Sequence, residues 1–102
     1  MKLSVVTVAY RAADTLADAL ESVARQSHPD VEHWLIDGGS ADATRSVVAR
    51  HGAHLAGFVS EPDDGLYHAM NKGAALARGD AIGFLNADDW YAGPDVLRRV
   101  AE

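Results

Sequence analysis

A chain of 102 residues has room for one domain, long enough to bury a core without covalent staples. With 48% hydrophobic and 24% charged residues it is neither disordered nor fibrous, and with Cys 0 it holds no disulfide, thiolate metal site or cysteine nucleophile. A formal charge of −6 repels bare phosphate, which argues against nucleic acid as the main partner and requires a cation or backbone donors for any anionic ligand.

The elements follow in chain order. Leu3 to Ala9, rich in Val and Thr, reads as a buried strand. Lys2 is the one charge before that run and Ser4 and Thr7 interrupt it, so it reads as a strand rather than a signal peptide; no apolar run approaches the length that spans a bilayer, and the expected compartment is the cytoplasm. Asp14 is placed to cap a helix with Leu16, Leu20 and Val23 on one face, and Pro29 bars its continuation. Trp34-Leu35-Ile36 predicts a second strand ending at Asp37-Gly38-Gly39. Ser40 is the expected cap of a helix through Val47 and Val48 that stops at Gly52. Leu55 to Val59 suggests a weaker third strand, and Leu66 to Ala77 a helix closed by Gly79. Ala81 to Leu85 is a fourth strand running into Asn86-Ala87-Asp88-Asp89. Gly93-Pro94-Asp95 then opens a helix over Val96 to Ala101, with Pro at the first helical position.

Strand and helix alternate throughout. That pattern calls for an α/β fold: an open, mainly parallel, Rossmann-like sheet with helices on both faces. Ligands of such sheets sit beyond the carboxyl ends of the strands, where strand order reverses. The candidate chemistry is therefore expected at Ala9-Tyr10, Asp37-Gly38-Gly39, Glu61 to Gly65 and Asn86 to Asp89.

Taken singly, each of these exits has two readings. Asp88-Asp89 places adjacent carboxylates where a hard cation such as Mg²⁺ or Mn²⁺ would relieve their repulsion, or it is an acidic turn leading into the last helix. Asp37, followed by two glycines, stands where dinucleotide folds hold a ribose-binding acid, or it belongs to a plain turn. Glu61, Asp63 and Asp64 either face a ligand or complement the positive end of the helix that follows. Gly73, inside a helical pattern, implies close approach of a neighbouring segment or a ligand, or else tight packing. The first turn, Ala9 to Asp14, lacks the G-x-G-x-x-G fingerprint and no P-loop is present, so a bound diphosphate would be held through metal. His51 and His54 flank Gly52 and are expected at the surface, Trp34, Phe58 and Phe84 in the core, and Trp90-Tyr91 either packed or lining a site.

Together the strings Ser4-Val5-Val6-Thr7-Val8-Ala9-Tyr10, Asp37-Gly38-Gly39-Ser40-Ala41-Asp42-Ala43-Thr44, Ser60-Glu61-Pro62-Asp63-Asp64-Gly65-Leu66-Tyr67-His68-Ala69-Met70-Asn71-Lys72-Gly73 and Gly79-Asp80-Ala81-Ile82-Gly83-Phe84-Leu85-Asn86-Ala87-Asp88-Asp89-Trp90-Tyr91 resemble, in order and spacing, the family 2 glycosyltransferases of the GT-A fold. The resemblance covers nearly the whole chain. It implies a nucleotide-diphosphate-sugar donor, a UDP-sugar first of all, with Thr7, Ala9 and Tyr10 lining base and ribose and Asp37 bonding one of them. Asp63 or Asp64 would close over the nucleotide, while Asp88 and Asp89 would hold ribose, phosphate and a Mn²⁺ or Mg²⁺ ion. Arg11, His68 and Asn86 depart from the family pattern, which usually has Asn, often Asp, and often the first acid of D-x-D there.

Family members invert the anomeric centre, and their base and acceptor surface follow the D-x-D strand. The resemblance thus implies a donor-binding half, truncated after the D-x-D region, that lacks the catalytic base and serves surface polysaccharide synthesis. Two alternatives stand beside it. One is a non-catalytic module that self-associates, as a homo-oligomer, through an exposed sheet edge or face. The other is a nicotinamide-dependent oxidoreductase, which the glycine-free first turn disfavours.

Overall fold

The computed structural model describes residues 1–39 and 42–101; the expected Ser40 cap lies outside them. Eight elements alternate strictly: β1 (Leu3–Ala9), α1 (Ala13–Ala24), β2 (Val31–Asp37), α2 (Asp42–His51), β3 (Gly57–Ser60), α3 (Leu66–Leu76), β4 (Ala81–Asn86) and α4 (Val96–Ala101). The strands form one parallel sheet in the order β3-β2-β1-β4. The chain lays down β1, β2 and β3 in one direction and then returns to the other side of β1, so strand order reverses between β1 and β4.

All seven residues of β1 are buried, as expected for a central strand covered on both faces. On one face Leu3 and Val5 meet Ala19 and Val23 of α1, Leu85 of β4 and Leu97 of α4. Nearer the carboxyl end Ala9 and Leu35 meet Leu16 and Leu20, with Val47, Val48, Leu55 and Phe58 packed around them. Among the described residues the opposite face is covered by α3, where Val6, Val8 and Ile36 enclose Ala69, flanked by Trp34, Val59 and Met70.

Several local expectations change. Helix α1 starts at Ala13 with Ala12 as its N-cap and no side-chain cap bond, so Asp14 sits inside the first turn, favourable to the helix dipole but not a cap. Strand β3 starts at Gly57 because that residue lies beneath Trp34: an added Cβ would be 2.2 Å from Cζ3 of the indole. Leu55, expected in the strand, instead joins the α1/α2 cluster. Phe84, expected in the core, is 43% exposed beside Ile82, because α3 packs on β1 and β2 and leaves this side of β4 open. Pro94 precedes α4, which begins two residues later.

At the amino ends of the strands, the Ser4 hydroxyl and the Arg78 N–H both donate to the Glu32 carboxylate, Gly79 N donates to Ser4 Oγ at 2.7 Å, and Lys2 stands 3.6 Å from Glu32. Burial raises the Glu32 pKa, but the Arg78 and Ser4 bonds and the Lys2 charge outweigh it, and the net shift is downward. This clamp fastens the α3–β4 turn to the far end of the sheet from the candidate exits.

Of the readings open for Gly73, the structure shows close approach of a neighbouring strand. A Cβ there would stand 2.2 Å from Cγ1 of Val6, which is fully buried and has no room to yield. Gly73→Ala gains about 1 kcal/mol of helix propensity and is set against about 1–3 kcal/mol of overpacking. Val6 cannot move without disturbing β1, so the clash governs, and urea denaturation should show a net loss of stability. A variant as stable as the parent would contradict this packing.

Candidate functional site

A cleft of about 680 Å³ opens at the carboxyl ends of the strands, between the exits of β1 and β4, within the size range of small-molecule sites. Val8, Ala9, Tyr10 and Ala12 form its β1 side, and Asn86, Ala87 and Asp88 its β4 side. Gly38, Pro62, Asp63, Gly65 and Leu66 close the far wall, with Ala69 of α3 behind them. Apart from Tyr10 and Leu66, the apolar lining is of small or short side chains, which leaves the room.

Sheet register explains how the walls meet. Ala9 pairs with Asp37 and Asp37 with Ser60, so three strands end in one row, while Val8 pairs with Asn86. Beyond that row Gly38 is pinched between two walls: a Cβ there would lie 3.1 Å from Asp63 Oδ2 and 3.2 Å from Tyr10 Cδ1. Glycine lets the backbone approach closely here. Tyr10 is 57% exposed at the rim, and the Arg11 guanidinium lies 5.1 Å from its ring centroid, a cation–π contact. Arg11 takes a left-handed φ of 53°, which turns the chain sharply out of β1.

The expected ligand residues separate into two layers. Ala9, Tyr10, Asp63 and Asp88 line the cleft; Asp64 and Asp89 are exposed beside it. Thr7, also expected at the ligand, is not on the cleft lining. It is fully buried one layer below, where Thr7 Oγ1 lies 2.6 Å from His33 Nε2. Asp37 is also fully buried and off the cleft lining; its Oδ2 accepts the Ser60 hydroxyl at 2.8 Å and the Gly39 N–H at 3.1 Å. In this structure Asp37 therefore shapes the Gly38-Gly39 wall from within. Sequence reasoning missed Val8, Ala12, Leu66 and Ala69 as lining; the strand-end position of Val8 and the helix-start position of Leu66 were the available signals.

The His33 neighbourhood was also unforeseen. His33 Nδ1 lies 2.9 Å from Nε2 of half-buried His54, while His51 pairs with Glu21 at 3.1 Å. His54 is thus no simple surface residue: the Ala56 N–H donates to the His33 carbonyl at 2.8 Å and brings the α2–β3 connection against β2. Burial, reinforced by the His54 charge, pushes the His33 pKa down to about 3, and burial lowers that of His54 against the opposing pull of Glu21.

The exposed carboxylates at the β4 exit suit a hard cation. The Asp89 N–H donates to the Asn86 carbonyl at 2.9 Å, which fixes a turn that presents Asp88 to the cleft. Among the described residues no three His, Cys, Asp or Glu side chains converge as a ready-made cage. That suits Mg²⁺-like sites, which take one or two carboxylates and leave the remaining positions to phosphate and water.

Residues 4–102 match the family model described as "Glycosyl transferase family 2". The chain belongs to that family. A glycosyltransferase of Mycobacterium tuberculosis, of uncharacterised specificity, is 39% identical over 101 residues that cover 98% of this chain and 38% of the relative. Among solved structures, the mannosyltransferase PcManGT of Pyrobaculum calidifontis, in complex with GDP-Man and Mn²⁺, superposes with a TM-score of 0.89 at 26% identity, over 98% of this chain and 31% of that one. TarS residues 1–349 of S. aureus, in complex with UDP, give a TM-score of 0.87 at 26% identity, over 99% of this chain and 31% of that one. The glycosyltransferase family 2 chain described here thus spans 38% of the length of the mycobacterial relative, and its four-stranded parallel sheet is that of GT-A glycosyltransferases. No helix among the described residues is long and apolar enough to cross a membrane.

Proposed function

We propose that these residues hold the nucleotide-diphosphate-sugar donor of an inverting glycosyl transfer, with a divalent cation between the diphosphate and the β4 exit. The observation that carries this reading is the cleft at the point where strand order reverses, with Asp88 on its lining opposite glycine-bearing turns. GDP-Man, UDP and Mn²⁺ in the complexes of structural relatives support it.

On this reading Ala9 and Tyr10 face base and ribose, Gly38 admits the nucleotide close to backbone, and Asp63 closes the far wall; Asp64 stands behind Asp63 on the same turn. Asp37 acts from beneath by holding the Gly38-Gly39 turn. Asp88, with Asp89 beside it, takes the cation. When bound, Mn²⁺ or Mg²⁺ neutralises the diphosphate and stabilises it as a leaving group. In the transfer an acceptor hydroxyl bonds to the anomeric carbon as the bond to the diphosphate oxygen breaks, and a base takes the hydroxyl proton. We assign that base, and the acceptor surface, to none of the residues described. A hydroxyl of a surface polysaccharide is the acceptor class implied by the family resemblance.

A calorimetric titration with UDP, GDP and NADH in the presence of Mn²⁺ tests the reading. UDP or GDP should bind and NADH should not; NADH binding in preference to both would replace it with the oxidoreductase reading. A second reading, a self-associating module, is favoured by the open Ile82 and Phe84 side chains of β4, at 41% and 43% exposure. It predicts a mass that rises with protein concentration, which sedimentation or light scattering reads directly.

A further inference from the structure

The turn that brings Asp63 to the cleft is held by two side chains one helical turn apart on α3. His68 Nδ1 accepts the Asp64 N–H at 2.9 Å. Lys72 Nζ makes a 3.0 Å ion pair with Glu61 and donates to the Pro62 carbonyl at 3.5 Å. Within the turn, Asp63 Oδ1 accepts the Gly65 N–H at 3.0 Å. The hold is thus made of side chains of α3 that reach back to its preceding loop, at the spacing that places residues on one helix face.

The His68 bond constrains protonation. An imidazole nitrogen that accepts an N–H bond has a free lone pair, so the ring holding Asp64 is neutral with its proton on Nε2. An imidazolium donates from both nitrogens and cannot accept that amide. The Asp64 carboxylate already stands 3.9 Å from the same Nδ1 and is the anion to which an Nδ1–H would turn. The other charged groups on this turn and helix face are Glu61, Asp63 and Lys72. Among the described residues no ion pair to His68 comes from any other element.

We propose that His68 is a positioning residue for the donor site: its imidazole accepts the Asp64 amide and thereby keeps Asp63 on the cleft wall. This deepens the donor reading and rests on it for the ligand. The hold itself is a property of the unliganded chain.

Two measurements test it separately. In the unliganded protein, Asp64 amide exchange is followed by ¹⁵N NMR at pH 8 for the parent, His68→Phe and His68→Asn. The phenyl ring has no acceptor, whereas the Asn carbonyl oxygen stands in for Nδ1. Asp64 should exchange about three- to tenfold faster in His68→Phe, the equivalent of one hydrogen bond, and Asn should restore protection. The same variants are then titrated with UDP and Mg²⁺ at pH 8. His68→Phe should bind about three- to tenfold more weakly at pH 8. His68→Asn, which keeps an acceptor for the Asp64 amide, should bind UDP as the parent does. Equal Asp64 exchange in parent and His68→Phe overturns the hold, and equal UDP affinity at pH 8 overturns the positioning role. Failure of the parent to bind UDP at pH 8 overturns the donor reading instead, and the exchange rates still decide the hold.

Discussion

In excess EDTA the chain should bind UDP at least a hundredfold more weakly than in Mn²⁺, to the point where calorimetry records no heat. The expectation comes from charge. Asp63 and Asp88 line the cleft and Asp64 and Asp89 flank it, on a chain of formal charge −6. Among the described residues no lysine or arginine lines the cleft. A diphosphate brought within about 5 Å of one such carboxylate meets a repulsion of about 3 kcal/mol at an effective dielectric of 20. Backbone N–H groups around Gly38 offset only part of that, because a hydrogen bond to a charged group contributes about 1.5–3 kcal/mol. Without a cation the balance is unfavourable, and with one the same carboxylates become its ligands. Asp88→Asn should weaken Mn²⁺-dependent UDP binding by about 10- to 100-fold, since one anionic ligand is lost while water fills its place. The same change at Asp89, off the cleft lining, should cost less. UDP affinity that is equal in EDTA and in Mn²⁺ would remove the cation from this site and return Asp88-Asp89 to an acidic turn.

How much of this was legible depended on whether the signal was local. The apolar runs at Leu3 to Ala9, Trp34 to Ile36 and Ala81 to Leu85 each specify a strand by themselves, and all three are strands. Leu16, Leu20 and Val23 specify the buried stripe of α1, and all three are buried. Because the elements alternate, the parallel sheet followed without tertiary information, and a cleft lies at the strand ends where one was expected. What failed was non-local. The outward or inward aim of Thr7 and Asp37 depends on what lies under the strand ends, and nothing near Thr7 in sequence announces His33, 26 residues away. The His33–His54 contact likewise joins residues separated by 21 positions, across a β2–β3 register that no periodicity encodes. Phe84 has the hydrophobicity of a core residue, but its burial depends on whether a helix lies over β4, and α3 lies over β1 and β2. Asp63 and Asp64 are chemically indistinguishable in sequence. The turn separates them, with Asp63 bonded to the Gly65 amide and on the cleft wall, and the Asp64 amide turned to His68.

Between pH 7.5 and 5.0 the chain should lose about 2 kcal/mol of folding stability through His33 alone. His33 is 1% exposed, with Thr7 on one ring nitrogen and His54 on the other, and its folded pKa is pushed from 6.5 to about 3 by burial first and by the His54 charge second. The folded state therefore resists a proton that the unfolded chain takes up near pH 6.5. The contribution is fully present above pH 6.5 and is lost as pH falls from there toward 3, at about 1.4 kcal/mol per pH unit. Over the 1.5 units from 6.5 to 5.0 that amounts to the stated loss, a large share of the roughly 5–15 kcal/mol typical of a domain. His54, also shifted downward, acts in the same direction in the same window. Glu32, lowered below the ordinary carboxylate range, extends the loss to more acidic pH. The hydrogen-bonded pair tolerates one added proton, because one ring then donates to the other; a second leaves two N–H groups facing each other, and the α2–β3 connection should separate from β2. Urea denaturation of the parent and of His33→Gln at both pH values is the measurement. Gln retains polar atoms for Thr7 and His54 but does not titrate, so the variant should be less stable at pH 7.5 and yet show a pH-dependent loss smaller by about 2 kcal/mol. An equal pH dependence in both proteins would mean that His33 is not the group whose protonation opposes the fold.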